Sequence, residues 1–159
     1  MPNKSKAFPN GKHDLRRGID FIGVTCVFVC HDGQGNILMH KRSKNCRDEQ
    51  GRWDTGGGAH EFGVTFEQTV TREIKEEYGA DASDLRFLKV FDAHRTLSDG
   101  TPTHWVAVVY MALVDPKQVI NNEPYKIDEI GWFKLDALPS PLHSQYKTVK
   151  QIVHQALTA

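Results

Sequence analysis

Two periodicities organise the chain. Phe21 to Cys30 (FIGVTCVFVC) is β-branched and aromatic and reads as a buried strand. Asp32-Gly33-Gln34-Gly35-Asn36 is a turn signal, so Ile37 to Lys41 is predicted to return as the second strand of a hairpin. A polar loop follows, ending in Gly51-Arg52-Trp53-Asp54-Thr55 and the consecutive glycines Gly56 to Gly58. The pattern then becomes helical over Thr65 to Gly79, where Phe66, Val70, Ile74 and Tyr78 recur at every fourth position and make one apolar stripe. Thr65 and Gln68 form the S/T-x-x-E/Q capping box, and Gly79 supplies the stop. Strands are predicted at Leu85 to Leu97, His104 to Val114 and Glu129 to Leu135, with Ser98-Asp99-Gly100 turning the chain between the first two. Pro141 is expected to open a last helix with Tyr146, Val149, Ile152, Val153 and Leu157 on its apolar side. Strands with two helices interspersed predict an α/β domain with a mixed sheet between helical layers.

Composition narrows this picture. The 159 residues fit one domain of ordinary size. Residues 1–18 are basic and polar and read as a flexible arm, leaving 19–159 as a single domain. No apolar run approaches the roughly 20 residues that span a bilayer, and the N-terminus has no apolar segment of signal-peptide type, so a cytoplasmic location is expected. Lysine plus arginine equals aspartate plus glutamate at 20 each, a balance that argues against a general nucleic-acid binder. Cys26 and Cys30 lie in the first apolar strand, where free cysteine behaves as a small hydrophobe. With Cys46 they make an odd count and no zinc-ligand spacing.

The chemistry concentrates in Gly58 to Ala80, GAHEFGVTFEQTVTREIKEEYGA. At about 100° per residue, Glu73, Glu76 and Glu77 share an arc of roughly 100° on the helix, beside the apolar stripe. Like charges at these spacings cost a few tenths of a kcal/mol per pair. Lys75 lies on the opposite side and cannot relieve them, so a cation is expected to do so. Mg²⁺ takes oxygen ligands, commonly one or two carboxylates together with substrate phosphates. The glycines before the helix, Gly57 and Gly58 among them, let the backbone approach an ion or a phosphate closely.

This stretch resembles the Nudix box, in which a glycine is followed at fixed spacing by Arg-Glu, an aliphatic residue, Glu-Glu and a second glycine. Gly58, Arg72, Glu73, Ile74, Glu76, Glu77 and Gly79 all fall in register. At about 6% frequency for each glycine or charged position, chance gives such a match on the order of 10⁻⁷ per start. Two positions depart: Val64 replaces the first Glu of the box, and Ala80 replaces a larger aliphatic residue.

The resemblance implies a Nudix-like α/β/α sandwich and hydrolysis of a nucleoside diphosphate linked to another moiety: a nucleoside triphosphate, an ADP-ribose-like compound or a dinucleotide. It implies metal binding by Glu73, Glu76, Glu77 and the Gly57 carbonyl, with Mg²⁺ as cofactor and Mn²⁺ as substitute. Glu76 and Glu73 are equal candidates for the catalytic base, and Arg72 orients Glu73. A further metal carboxylate from outside the box is assigned to Glu129, with Glu123 in reserve. Arg42 and Gly58 are candidates for the phosphates, and Trp132, Phe133 or Trp105 for a stacked base. His60 and His94 are weaker candidates near the site. The partner expected is a small nucleotide, with neither nucleic acid nor membrane involved; a homodimer is compatible with this. The competing reading, motivated by Val64, is a catalytically weakened Nudix-fold nucleotide-binding module.

Overall fold

The computed structural model describes residues 15–158, in which strands and two helices form three layers. The central strand β1 (Gly23–His31) pairs in parallel with β6 (Pro102–Val114), which in turn pairs antiparallel with the edge strand β5 (Ala82–Thr96). On its other side β1 pairs with the short glycine strand β4 (Gly56–Ala59). β2 (Asn36–Arg42) carries β3 (Trp53–Asp54) and β7 (Ile127–Lys134), both antiparallel. The sheet is therefore mixed, and α1 (Phe66–Tyr78) and α2 (Tyr146–Thr158) cover its opposite faces.

Alternation along the strands divides the core in two. Cys26, Phe28 and Cys30 of β1, with Leu38 and Val108, pack against Val70, Ile74 and Tyr78 of α1. Val29, Ile37, Met39 and Trp53 pack against Tyr146, Val149 and Val153 of α2. Both strand cysteines are buried and unpaired, as expected of small hydrophobes. The α1 ends also follow the sequence. The Thr65 hydroxyl accepts from the Gln68 amide, the Gln68 side chain accepts from the Thr65 amide, and Gly79 closes the helix at φ 67°.

The predicted hairpin is corrected. The Asp32–Asn36 turn forms, with the Asp32 carboxylate accepting from the Gln34 and Asn36 amides. Yet β1 and β2 are registered only at His31 and Ile37. Beyond that pair they splay, because β4 takes the edge of β1 while β3 takes the edge of β2. The sheet thus forks, with Thr55 at the junction between the two short strands. Gly56 is required on the β4 branch, since a Cβ there would stand 1.8 Å from the Phe28 ring.

Several boundaries also differ from expectation. β5 begins at Ala82 and β7 at Ile127, each earlier than its apolar pattern. The last helix begins at Tyr146 rather than Pro141, because residues 141–143 run extended along β3. There the Trp53 amide donates to the Pro141 carbonyl, and the His143 amide donates to the Trp53 carbonyl, each at 2.8 Å. Leu157, assigned to the apolar side, is 51% exposed. Of the proposed arm, residues 1–14 lie outside the described residues. Gly18, by contrast, is seated against the Trp105 ring, and its carbonyl accepts from the His104 amide. Among the described residues no helix is long and apolar enough to cross a membrane.

Candidate active site

The fork opens a cleft of about 650 Å³ that runs from the carboxylate side of α1 to the α2 face of the sheet. Glu73, Glu76 and Glu77 line one end, together with Gly56, Gly57 and Gly58 of β4. The helix places Glu77 innermost, 7% exposed, and its Oε2 has no hydrogen-bond partner among the described residues. Burial pushes the Glu77 carboxyl well above the usual range, and the neighbouring Glu73 and Glu123 charges push it further, against the opposing Gly57 amide. Glu73 is also raised, chiefly by burial, while Arg72 pulls it down.

Arg72 is the hub of the outer layer. Its guanidinium donates to Glu73 at 3.0 Å and to Glu61 at 3.2 Å and lies 3.8 Å from Glu76. Glu61 thus brings a carboxylate to Arg72 although Val64 does not. The Glu76 side chain is 54% exposed, the most open of the carboxylates that line the cleft from α1. Close packing requires the glycine at 58, where a Cβ would stand 2.2 Å from Cδ of Glu73. The Gly58 carbonyl accepts from the Thr25 hydroxyl at 2.9 Å, which fixes this strand against β1. Lys75 turns away and pairs with Asp81 at 2.9 Å.

Glu129 lies directly opposite Lys41 on β2, on the α2 face, and their side chains pair at 3.1 Å. Glu123, in the loop before β7, instead lines the cleft and pairs with Lys126 at 3.0 Å. The sequence pattern favoured Glu129 for its place near Trp132, and strand alternation sets it on the α2 face, opposite the α1 carboxylates. Trp132 packs at the margin of the α1 core and is not among the residues that line the cleft. Phe133 stacks edge-on to Trp53, with ring centroids 5.3 Å apart. Trp105 is the aromatic from that group that lines the cleft.

Arg42 lines the cleft, and its guanidinium is partly committed, donating to the Asp48 carbonyl and carboxylate at 3.1 Å each. His60 bonds Thr69 at 2.9 Å, and His94 lies on β5 between the cleft-lining Ala93 and Arg95, on the opposite face of the strand. Neither lines the cleft.

At the α2 end lies a group that pattern reasoning missed. Arg95 pairs with Asp48 at 3.1 Å and contacts Nε2 of His143 at 3.1 Å. Phe91, Ala93, Tyr146 and Val149 supply an apolar wall. Thr55 and Tyr146, which also line the cleft, each carry a buried polar atom with no partner among the described residues. Their clustering depends on pairings between distant strands, which no local motif announces.

An all-oxygen donor set of clustered carboxylates, one of them buried with an unpartnered oxygen, fits a hard divalent cation. Arg72 offsets the charge of Glu73 but does not reach Glu77.

A family model described as "NUDIX domain" matches residues 21–154. The chain is 29% identical over 147 residues to a putative ADP-ribose pyrophosphatase, YjhB, of Bacillus subtilis, covering 92% of this chain and 61% of that protein. It is 29% identical over 119 residues to the NAD-capped RNA hydrolase NudC of Erwinia tasmaniensis, covering 72% of this chain and 40% of that protein. The chain therefore spans less than two thirds of the length of these relatives. Among solved structures it resembles a MutT NUDIX hydrolase from Burkholderia pseudomallei, with a TM-score of 0.73 and 32% identity over 84% of this chain and 98% of that one.

Proposed function

The chain belongs to the NUDIX family, and from that premise we propose that it is a divalent-metal-dependent hydrolase of nucleoside diphosphate derivatives, with ADP-ribose-like compounds as the leading substrate class. The observation that carries this reading is the cleft end at which Glu73, Glu76, Glu77 and Glu123 converge on glycine backbone, with Glu77 buried and its Oε2 unpartnered. Glu73, Glu76, Glu77 and the Gly57 carbonyl would hold Mg²⁺ or Mn²⁺, with Glu123 in the place first assigned to Glu129. When bound, the ion supplies positive charge to diphosphate oxygens and makes water easier to deprotonate.

The protein's own groups then divide the work. Glu76 is exposed and only loosely held by Arg72, which suits it to take a proton from the attacking water; Glu73, held at 3.0 Å, is suited to stay fixed. Arg42 and Lys126 bring positive charge along the path of the phosphates. Trp105, Phe91 and Tyr146 offer flat apolar surface to a ring, and Arg95 and Thr55 offer polar contacts beside it. The ADP-ribose assignment draws its support from the relative in Bacillus subtilis and from this two-ended cleft.

The direct test is product release from a panel of ADP-ribose, nucleoside triphosphates and dinucleotides, with Mg²⁺, Mn²⁺ or EDTA. Turnover of ADP-ribose that requires the cation is the expected result. Turnover undiminished in EDTA, with no metal bound, would overturn the metal-dependent mechanism. Hydrolysis of no panel member, with nucleotide binding intact, would favour the binding module.

A further inference from the structure

Asp92 and His94 of β5 and His104 of β6 stand away from the cleft, and one ligand atom from each lies within 4.8 Å of the others. Strand register brings them together. His94 is the direct cross-strand partner of His104, and Asp92, two positions before His94, shares its face. The imidazole centroids are 4.3 Å apart with the planes at 61°. Nε2 of His104 lies 2.9 Å from Oδ1 of Asp92. The backbone beneath is fixed by the β5–β6 ladder, and the His104 amide donates to the Gly18 carbonyl at 2.8 Å.

We propose that Asp92, His94 and His104 form a second metal site, separate from the carboxylate cleft, for a borderline dication of the Zn²⁺ type. Two imidazoles and one carboxylate select such an ion over Mg²⁺, which prefers all-oxygen surroundings. Zinc bonds of roughly 2.0–2.1 Å place neighbouring tetrahedral ligand atoms about 3.3 Å apart, close to the separation of His104 and Asp92. The ion takes the position between Nε2 of His104 and Oδ1 of Asp92, and the neutral His104 ring then carries its one proton on Nδ1. Water completes the coordination, because all three residues lie at an accessible surface. Occupancy ties the edge strand β5 to β6 by a link that survives separation of the backbone ladder.

The test is a Zn²⁺ titration of the whole chain by calorimetry in excess Mg²⁺, added to fill the proposed site in the carboxylate cleft. Imidazole nitrogen resonances are followed alongside. One equivalent per chain is expected, shifting His94 and His104 but not His40, His60 or His143. His94→Ala and His104→Ala should each weaken binding by more than the ~10–100-fold typical of losing an outer-shell partner. Their Mg²⁺-supported hydrolysis should be unchanged. The site is refuted if the double variant, folded by circular dichroism, binds Zn²⁺ as the natural protein does. It is equally refuted if the natural protein binds none, or if the shifted resonances belong to other histidines.

Discussion

On the proposed mechanism Glu73 holds the cation and Glu76 takes the proton, and conservative substitution separates these tasks from folding. Glu76→Gln or Glu73→Gln is expected to lower kcat by roughly 10²–10⁴ while leaving thermal stability intact or slightly higher, since each removes a repelling charge. Lys75→Ala is the control. Its side chain pairs with Asp81 away from the cleft, so kcat should hold steady. Equal damage from Lys75→Ala would contradict the placement of these side chains. Gly58→Ala tests geometry without altering charge. The added methyl would meet Cδ of Glu73 at 2.2 Å, so the carboxylate must move. Activity should fall by at least an order of magnitude in a protein that still folds. The helix carboxylates were legible in sequence because helical spacing is local. The choice between Glu129 and Glu123 was not, because it depends on which face of β7 meets the register of β2.

The two helices show where local pattern suffices and where it fails. α1 was readable because its capping box, four-residue stripe and terminal glycine all lie within the segment itself. The start of α2 was not, because Pro141, Leu142 and His143 are recruited to the side of Trp53, far away in sequence. The hairpin failed for a related reason: β4 and β3 compete for the edges of β1 and β2. Val64 belongs to this scale, since it immediately precedes the N-cap of α1. Glutamate there would meet the positive end of the helix dipole, a gain of about 0.3–1 kcal/mol measurable by chemical denaturation. The natural protein is expected to be active without it, as Glu61 already brings a carboxylate to Arg72. Turnover that appears only in Val64→Glu would instead support the binding module.

For the molecule as a whole, buried groups set two opposing pH dependences. Glu77 and Glu73 have raised values, so the folded protein binds their protons more tightly than the unfolded chain does. Metal-free stability from these groups is greatest at acid pH, and declines as pH rises from the ordinary carboxylate range through their raised values. His40, buried against the Tyr78 hydroxyl at 2.6 Å, is pushed down to about 4. Its contribution is full above the ordinary histidine value and is lost as pH falls towards 4. Divalent cation should reverse only the first effect. Scanning fluorimetry is expected to show Mg²⁺ raising Tm clearly at pH 7 to 8 and hardly at pH 4 to 5, with EDTA abolishing the difference. A Mg²⁺ shift that is the same at every pH would show that Glu73 and Glu77 do not couple to the ion.

The fork between β1 and β2 has a consequence for how this protein can change. Because the opening joins two faces of one sheet, the proposed function assigns bond cleavage and ring recognition to different layers with different packing partners. Substitutions at Phe91 or Val149 can reshape the acceptance of a ring while α1 and its glutamates stay as they are. New substrate preferences can therefore accumulate at the α2 layer one residue at a time, without passing through an inactive intermediate.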